Sequence, residues 1–194
     1  QRGNALFHDM VKTLNASRET IIGKLASLQD RYLKGDFNAE TFTAKKAFLV
    51  HQREEIEKVI EEVYTEIKAN IESAAEDVVS AIATHTVNTM NKITGLDVSF
   101  FHLDKSLVQA WFETGLIEGT TLTEWLSNLE SNTVNRILSA QRSALVEGDS
   151  LSGMISKLRA DGFESSYNGL KGLARTSMLS ASNYAREETI TKRF

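Results

Sequence analysis

Cysteine and proline are both absent from this chain of 194 residues. Without cysteine the chain can form no disulfide, no zinc-thiolate site and no cysteine nucleophile. Without proline it lacks a residue that commonly ends helices, which favours long uninterrupted helices. The absence of proline thus favours an all-α protein.

Long hydrophobic runs are missing as well. No apolar stretch approaches the roughly 18 to 20 residues that span a bilayer, so no membrane-spanning segment is predicted. The net charge of −4 and the 41% of hydrophobic residues are typical of a soluble, folded protein. The opening stretch QRGNALFHDM has neither an initiating Met nor a signal-peptide core, which favours a processed or trimmed piece of a longer protein.

Two long helices are predicted in the first half of the chain. Apolar residues spaced three and four apart from Phe7 to Tyr32 form the seam of a coiled-coil helix. A glycine stop at Gly35 follows. The spacing resumes at Phe42 and continues to about Ile93, which predicts a second helix that folds back on the first.

The unequal lengths of these helices leave part of the second one uncovered. At ~1.5 Å per residue the first is about 45 Å long, whereas the second approaches 80 Å. We therefore expect the first helix to cover the second only to about Ile67. The apolar residues beyond this point need a partner from the C-terminal half or from another chain: Ile71, Ala74, Ala75, Val78, Val79 and Ile82.

Shorter helices are predicted in the second half, after a loop that contains Phe100 and Phe101. One of these predicted helices opens with a capping box, Thr121-Leu-Thr-Glu124. The predicted helices run from Ser106 to Ile117, from Thr121 to Glu147, within 149–162, and from near Ser166 almost to Phe194. The predicted fold is an elongated all-α protein, with an antiparallel coiled-coil-like hairpin arm at 1–94 and a C-terminal helical body at 95–194.

Residues that could support catalysis or bind a metal are scattered. Among the four histidines only His51 has a possible second ligand at i, i+4, which is Glu55, and two ligands do not make a zinc site. The stretch GDSLSG lacks the Gly-Lys-Ser/Thr ending of a phosphate loop. Nine acids against three bases within 53–77 are typical of a solvated helix face. We expect no enzymatic activity, no metal site and no cofactor.

The last helix carries basic residues on one side. At ~100° per residue five positions fall within about 60° of one another: Lys171, Arg175, Ser182, Arg186 and Arg193. We call these positions the basic stripe. Beside them lies a row of small and apolar residues that would let another backbone approach closely: Ala174, Met178, Ala181 and Ala185.

Three interpretations of the basic stripe are open. It could contact the phosphates of a nucleic acid, or it could lie against an acidic protein surface, such as the Glu-rich segment of the second helix in the same or a neighbouring chain. It could also be an ordinary solvated face. The acidic net charge of the chain argues against sequence-specific reading of DNA bases.

The region from Trp111 to Arg186 contains a helix that ends before Gly148, then the segment DSLSGMISKL, and then the helix ARTSMLSASNYAR. In this order, over about 75 residues, the chain resembles the Mu F-like phage head morphogenesis family, also called phage minor head proteins. Gly148 matches the glycine that precedes the short helix in that family.

The remaining matches lie in the last helix. Arg175 and Thr176 match the Arg-Thr pair of the family, and Asn183 matches its later Asn. Ser177 stands where the family usually has Glu. Family members often continue into a Cys-containing segment, which this sequence does not include.

The resemblance implies a structural component of the virion of a tailed phage, present in few copies at the portal or the inner capsid. Its partners would be portal or capsid proteins and, non-specifically, double-stranded DNA during packaging or ejection. It would act in the phage head and in the host cytoplasm during assembly. The aromatic residues expected to serve packing or docking are Phe100, Phe101, Trp111, Phe112 and Trp125. The alternative is a helical adaptor or secreted-effector fragment that binds proteins through its coiled arm and has no phage role.

Overall fold

The structure, a computed structural model, describes residues 2–33, 42–95, 105–115, 119–147, 149, 151–161 and 163–193. These residues form six α-helices and no β-strand, which confirms the all-α prediction. The helices are α1 (Arg2–Leu33), α2 (Phe42–Thr94), α3 (Lys105–Thr114), α4 (Leu122–Glu147), α5 (Leu151–Asp161) and α6 (Glu164–Arg193). None of the described helices is both long enough and apolar enough to cross a membrane.

Helix boundaries follow local sequence signals. α2 ends where Gly95 adopts a φ of 70°, a conformation that glycine adopts without strain, and its N–H donates to the carbonyl of Asn91 at 2.9 Å. At the start of α4 the capping box forms in both directions. The N–H of Glu124 donates to Oγ1 of Thr121 at 3.2 Å, and the N–H of Thr121 donates to Oε2 of Glu124 at 3.0 Å. The predicted stop at Gly35 lies outside the described residues.

α1 and α2 run antiparallel. Oγ1 of Thr13 donates to Oε1 of Glu66 at 3.1 Å, and Nζ of Lys24 donates to Oε2 of Glu55 at 2.6 Å. A step of eleven residues along α1 thus corresponds to a step of eleven residues in the opposite direction along α2. The register is therefore constant over this stretch, as expected for two helices that pack along a shared seam.

The chain packs as two units. One comprises Gln1–Met10, Lys68–Leu126 and Leu170–Phe194, and the other comprises Val11–Ile67 and Ser127–Gly169. We call them the first and the second unit. Each draws on sequence from both sides of Gly95, where composition alone placed the boundary between an arm and a body.

The first unit buries the part of α2 for which the sequence left the partner open. Ile71, Ala75 and Val79 are fully or almost fully buried there, whereas Ala74 and Ile82 are half-buried. Phe7 of α1 lines the same groove as Val78. The expectation that α1 covers α2 only to about Ile67 is therefore wrong. α1 begins at Arg2 rather than near Phe7, and its antiparallel course carries these residues past Ile67.

The second unit has an apolar core that contains polar contacts between helices. The core side chains come from several helices and include Leu14, Ile21 and Leu25 of α1, Ile56 and Ile60 of α2, Ile137 of α4 and Leu158 of α5. Within it, Nε2 of Gln141 on α4 donates to Oε1 of Gln52 on α2, and Tyr64 on α2 contacts Thr133 on α4. Both amides and both hydroxyl-bearing residues are buried, so each contact satisfies groups that cannot reach water.

Candidate docking groove

The small residues of α6 lie on its buried face. Ala174, Ala181 and Ala185 have no exposed surface, and Met178 is buried as well. A Cβ built on Gly3 of α1 would lie 3.9 Å from the carbonyl oxygen of Ala174, which is ordinary van der Waals distance. The row therefore permits the close backbone approach that its composition predicts, and it is the start of α1 that approaches.

The basic stripe borders this buried face. Lys171, Arg175 and Arg186 are exposed, and none of them makes an ion pair or a hydrogen bond within the described residues. Oγ of Ser182 is half-buried and donates to the carbonyl of Met178 at 2.7 Å. The side chain of Arg193 lies outside the described part. Three cationic groups of the stripe are thus available to an external anion.

A groove of about 850 Å³ runs beside the stripe in the first unit. Its walls come from α1, α2 and α6. The lining residues are Gly3, Asn4, Phe7, Val78, Ala81, Ile82, Lys171, Arg175, Met178, Leu179 and Ser182. We call it the α6 groove. It combines aliphatic and aromatic side chains with two cations and, among its described lining residues, no acid.

Leu179 is the residue of this groove that sequence reasoning missed. Its side chain is 62% exposed, so most of its apolar surface stays in contact with water and contributes no hydrophobic stabilisation. A signal was present in the sequence, because at ~100° per residue position 179 falls between the directions of Arg186 and Asn183, away from the alanine row. Leu179 adds exposed apolar surface to the groove beside Lys171 and Arg175.

The residues that match the phage family divide between surface and interior. Arg175 and Asn183 are exposed, and Thr176 is half-buried. Ser177 is completely buried, and its Oγ has no hydrogen-bond partner within the described residues. A glutamate at this position would bury a carboxylate and require a partner cation, so the small neutral Ser suits this interior. Gly148 lies outside the described residues.

The aromatic candidates that can be placed serve packing. The rings of Trp111 on α3 and Tyr184 on α6 stack with centroids 5.3 Å apart and planes 15° apart. Phe112 is buried beside Trp111, and Trp125 is half-buried. Phe100 and Phe101 lie outside the described residues. Stacking on Tyr184 fixes α3 to α6 within the first unit.

The candidate metal-ligand pair of the sequence, His51 and Glu55, makes structural contacts. Glu55, considered beside His51, instead accepts from Lys24, and this hydrogen bond lowers the pKa of the Glu55 carboxyl. Nδ1 of His51 lies 3.9 Å from Oε2 of Glu54. Within the described ranges no three His, Cys, Asp or Glu side chains come together in a way that could hold a metal ion.

One apolar residue of α2 is exposed although it fits the spacing that resumes at Phe42. Leu49, seven residues after Phe42, is 44% exposed, and Val50 is exposed to a similar degree. The inward positions at this level of α2 belong instead to Gln52 and Ile56, both buried. Gln52 replaces an apolar residue because the amide of Gln141 pairs with it.

Comparisons of this chain with models of protein families, with curated proteins and with solved structures find no match.

Proposed function

We propose that this chain is a structural minor head protein of a tailed bacteriophage, which docks on the portal or on inner capsid subunits through the α6 groove. The observation that carries the proposal is the groove itself. Lys171 and Arg175, which make no ion pair or hydrogen bond within the described residues, lie beside an exposed leucine on the helix that resembles the family motif. Such a surface is suited to binding a protein.

The positions of the motif residues support the proposal. Arg175 and Asn183 are exposed, so neither is needed to fill the interior of the first unit. Both side chains are therefore accessible to a partner. The buried alanine row supports α6 from behind, which holds these side chains on a rigid element.

The groove favours a protein partner over DNA as the main ligand. Phosphates are bound by cations and hydrogen-bond donors, and an aliphatic wall contributes little to them. The half-buried Phe7 and Ile82 and the exposed Leu179 retain apolar surface that only an apolar ligand would cover. Burial of such surface contributes roughly 25 cal/mol per Å². DNA contact through Arg175 and Arg186 is the second candidate, favoured by their lack of anionic partners.

The test is incorporation into particles. Quantitative mass spectrometry of purified phage heads would count copies of the wild-type chain and of the variant Arg175→Glu, each supplied in trans to a phage that lacks the gene. We expect a small defined number per head for the wild type and at least a tenfold loss for Arg175→Glu. Arg142→Glu, at an exposed position outside the groove, is the matched control and should be retained.

Two results would contradict this function. Absence of the wild-type chain from mature heads and from assembly intermediates would favour the helical adaptor. Retention of Arg175→Glu at wild-type copy number would show that docking does not use the α6 groove. If Arg175→Glu is incorporated normally but loses salt-sensitive affinity for duplex DNA, Arg175 would be assigned to DNA contact, the second candidate function.

A further inference from the structure

The α6 groove, with a volume of about 850 Å³, has room for the contact face of a short helix. An α-helix is roughly 10 Å across with its side chains and rises about 5.4 Å per turn, so two turns occupy a volume close to that of the groove. Three helices form the walls, with Phe7 from α1, Val78 and Ile82 from α2, and Met178 from α6. A helix that enters such a site lays its apolar face inward.

The cations of the groove lie one turn apart. Lys171 and Arg175 are related by i, i+4, so their side chains project from the same side of α6, about 6 Å apart along the axis. Both are exposed and unpaired in the described part of the chain. Carboxylates one turn apart on a partner helix match this spacing.

The acidic side chains of the chain itself do not pair with Lys171 or Arg175 within the described residues. Of the Glu-rich segment at 53–77, Glu55 pairs with Lys24, Glu57 with Arg53, and Glu72 with Lys68. On α6 itself, Glu188 pairs with Lys192 at 2.6 Å. Contact of the basic stripe with acids of the same chain, which is one form of the second interpretation of the sequence, is not formed in the described residues.

We infer that the α6 groove binds an acidic amphipathic helix of a partner protein, which inserts aliphatic side chains between Phe7, Ile82 and Leu179 and pairs two carboxylates, one turn apart, with Lys171 and Arg175. This rests on the proposed docking function and gives the class of its partner. The aliphatic contacts provide affinity, and the carboxylate pair fixes the register of the bound helix.

The test uses the full chain and three labelled helical peptides of about 18 residues. The acidic probe has Leu on one face and Glu at i, i+4 beside it. The basic probe has Lys in place of each Glu, and the scrambled probe has the composition of the acidic probe without its apolar face. Fluorescence anisotropy should show binding of the acidic probe, with at least tenfold weaker binding of the other two.

Two groove variants separate the charge contribution from the apolar one. The double variant Lys171→Glu, Arg175→Glu should no longer bind the acidic probe and should bind the basic probe instead. Arg142→Glu should leave the binding of both probes unchanged. Leu179→Ser should weaken the binding of the acidic probe several-fold and leave the salt dependence of that binding unchanged. Circular dichroism verifies that each variant keeps its helix content.

Several outcomes would overturn the inference. Equal binding of the scrambled and acidic probes would reduce the site to non-specific charge attraction. Tighter binding of a duplex DNA, lost in the double variant, would assign the cations to phosphates. Self-association of the wild type that Leu179→Ser abolishes would make a second copy the occupant. If head incorporation still depends on Arg175 in any of these cases, the minor head function stands and only the partner class is wrong.

Discussion

The hydroxyl of Tyr64 on α2 lies 2.8 Å from Oγ1 of Thr133 on α4, in the interior of the second unit. Oγ of Ser166 on α6 lies 2.6 Å from the same oxygen. Thr133 donates its single proton to the carbonyl of Leu129 at 2.8 Å, so Tyr64 and Ser166 are the donors and Thr133 accepts both. One threonine thereby fixes the relative register of three helices.

Removal of the shared acceptor should be costly. Thr133→Val keeps the shape of the side chain but leaves the hydroxyls of Tyr64 and Ser166 buried without this partner. We expect the free energy of unfolding to fall by about 1 to 3 kcal/mol, measured by urea denaturation followed by circular dichroism. Tyr64→Phe removes one donor and leaves Thr133 paired with Ser166, so it should cost less. A larger loss for Tyr64→Phe would contradict this description.

The same network predicts a dependence of stability on alkaline pH. Burial raises the pKa of Tyr64 above its ordinary value of 10.0, although the neighbouring hydroxyls of Thr133 and Ser166 act in the opposite direction. The folded state therefore holds the phenolic proton more tightly than the unfolded state does. The stabilisation is complete below about pH 10 and is lost as the pH rises through the raised folded-state pKa.

Denaturation of the wild type and of Tyr64→Phe between pH 8 and 11 measures this contribution as a difference between the two proteins. Lysines titrate in the same range, but they do so in both proteins. The difference in stability should narrow above about pH 10, because Phe has no proton to lose. A difference that stays constant over this range would show that Tyr64 titrates normally.

Local features could be predicted from the sequence, whereas long-range pairings could not. The end of α2 at Gly95 and the capping box at Thr121 depend on neighbouring residues, so their residue types reveal them. The Tyr64 and Thr133 hydroxyls are 69 residues apart in the chain. Their contact depends on which helices pack together, and apolar spacing does not encode that choice.

The candidate site shows the same division. The basic stripe followed from helical geometry alone, because all its members lie on α6. The groove beside it did not, since its walls come from three helices distant in sequence. Helical geometry already placed Leu179 away from the buried face of α6. The sequence did not indicate that Phe7 of α1 and Ile82 of α2 would line the same groove.

A matched pair of isoleucines on α2 tests the core of the first unit. Ile71 is fully buried, and Ile93 is 73% exposed. Ile71→Ala should lower the free energy of unfolding by about 2 to 5 kcal/mol, because it removes buried methyl groups and leaves a cavity. Ile93→Ala should change it by less than about 0.5 kcal/mol. Similar losses in the two variants, measured by urea denaturation, would argue against the burial of α2 in this unit.

The capping box of α4 should make stability depend on acid. The backbone N–H of Thr121 donates to Glu124 and, with the hydroxyls of Thr121 and Thr120, lowers the pKa of the Glu124 carboxyl below its ordinary 4.5. This stabilisation is present above about pH 4.5 and is lost as the pH falls through the lowered folded-state pKa.

Two capping variants separate the hydrogen bonds from the charge. Thr121→Ala should cost about 0.5 to 2 kcal/mol at neutral pH, because it removes the acceptor for the N–H of Glu124. Glu124→Gln retains an oxygen acceptor but has no titrating proton, so its stability should fall less than that of the wild type on acidification. Thermal denaturation at pH 3.5, 5 and 7 measures both effects. A parallel decline in Glu124→Gln would assign the acid sensitivity to other carboxylates.

The stack of Trp111 on Tyr184 fixes α3 to α6 and can be followed by spectroscopy. In a Trp125→Phe background only Trp111 emits, so its fluorescence and near-ultraviolet circular dichroism report on this contact. Tyr184→Leu should shift the emission to longer wavelength and cost about 0.5 to 1.5 kcal/mol through loss of the aromatic contact. Tyr184→Phe retains the ring and should preserve both signals. If Tyr184→Leu left the spectra of Trp111 unchanged, the two rings would not be in contact, and the attachment of α3 to α6 through this stack would be wrong.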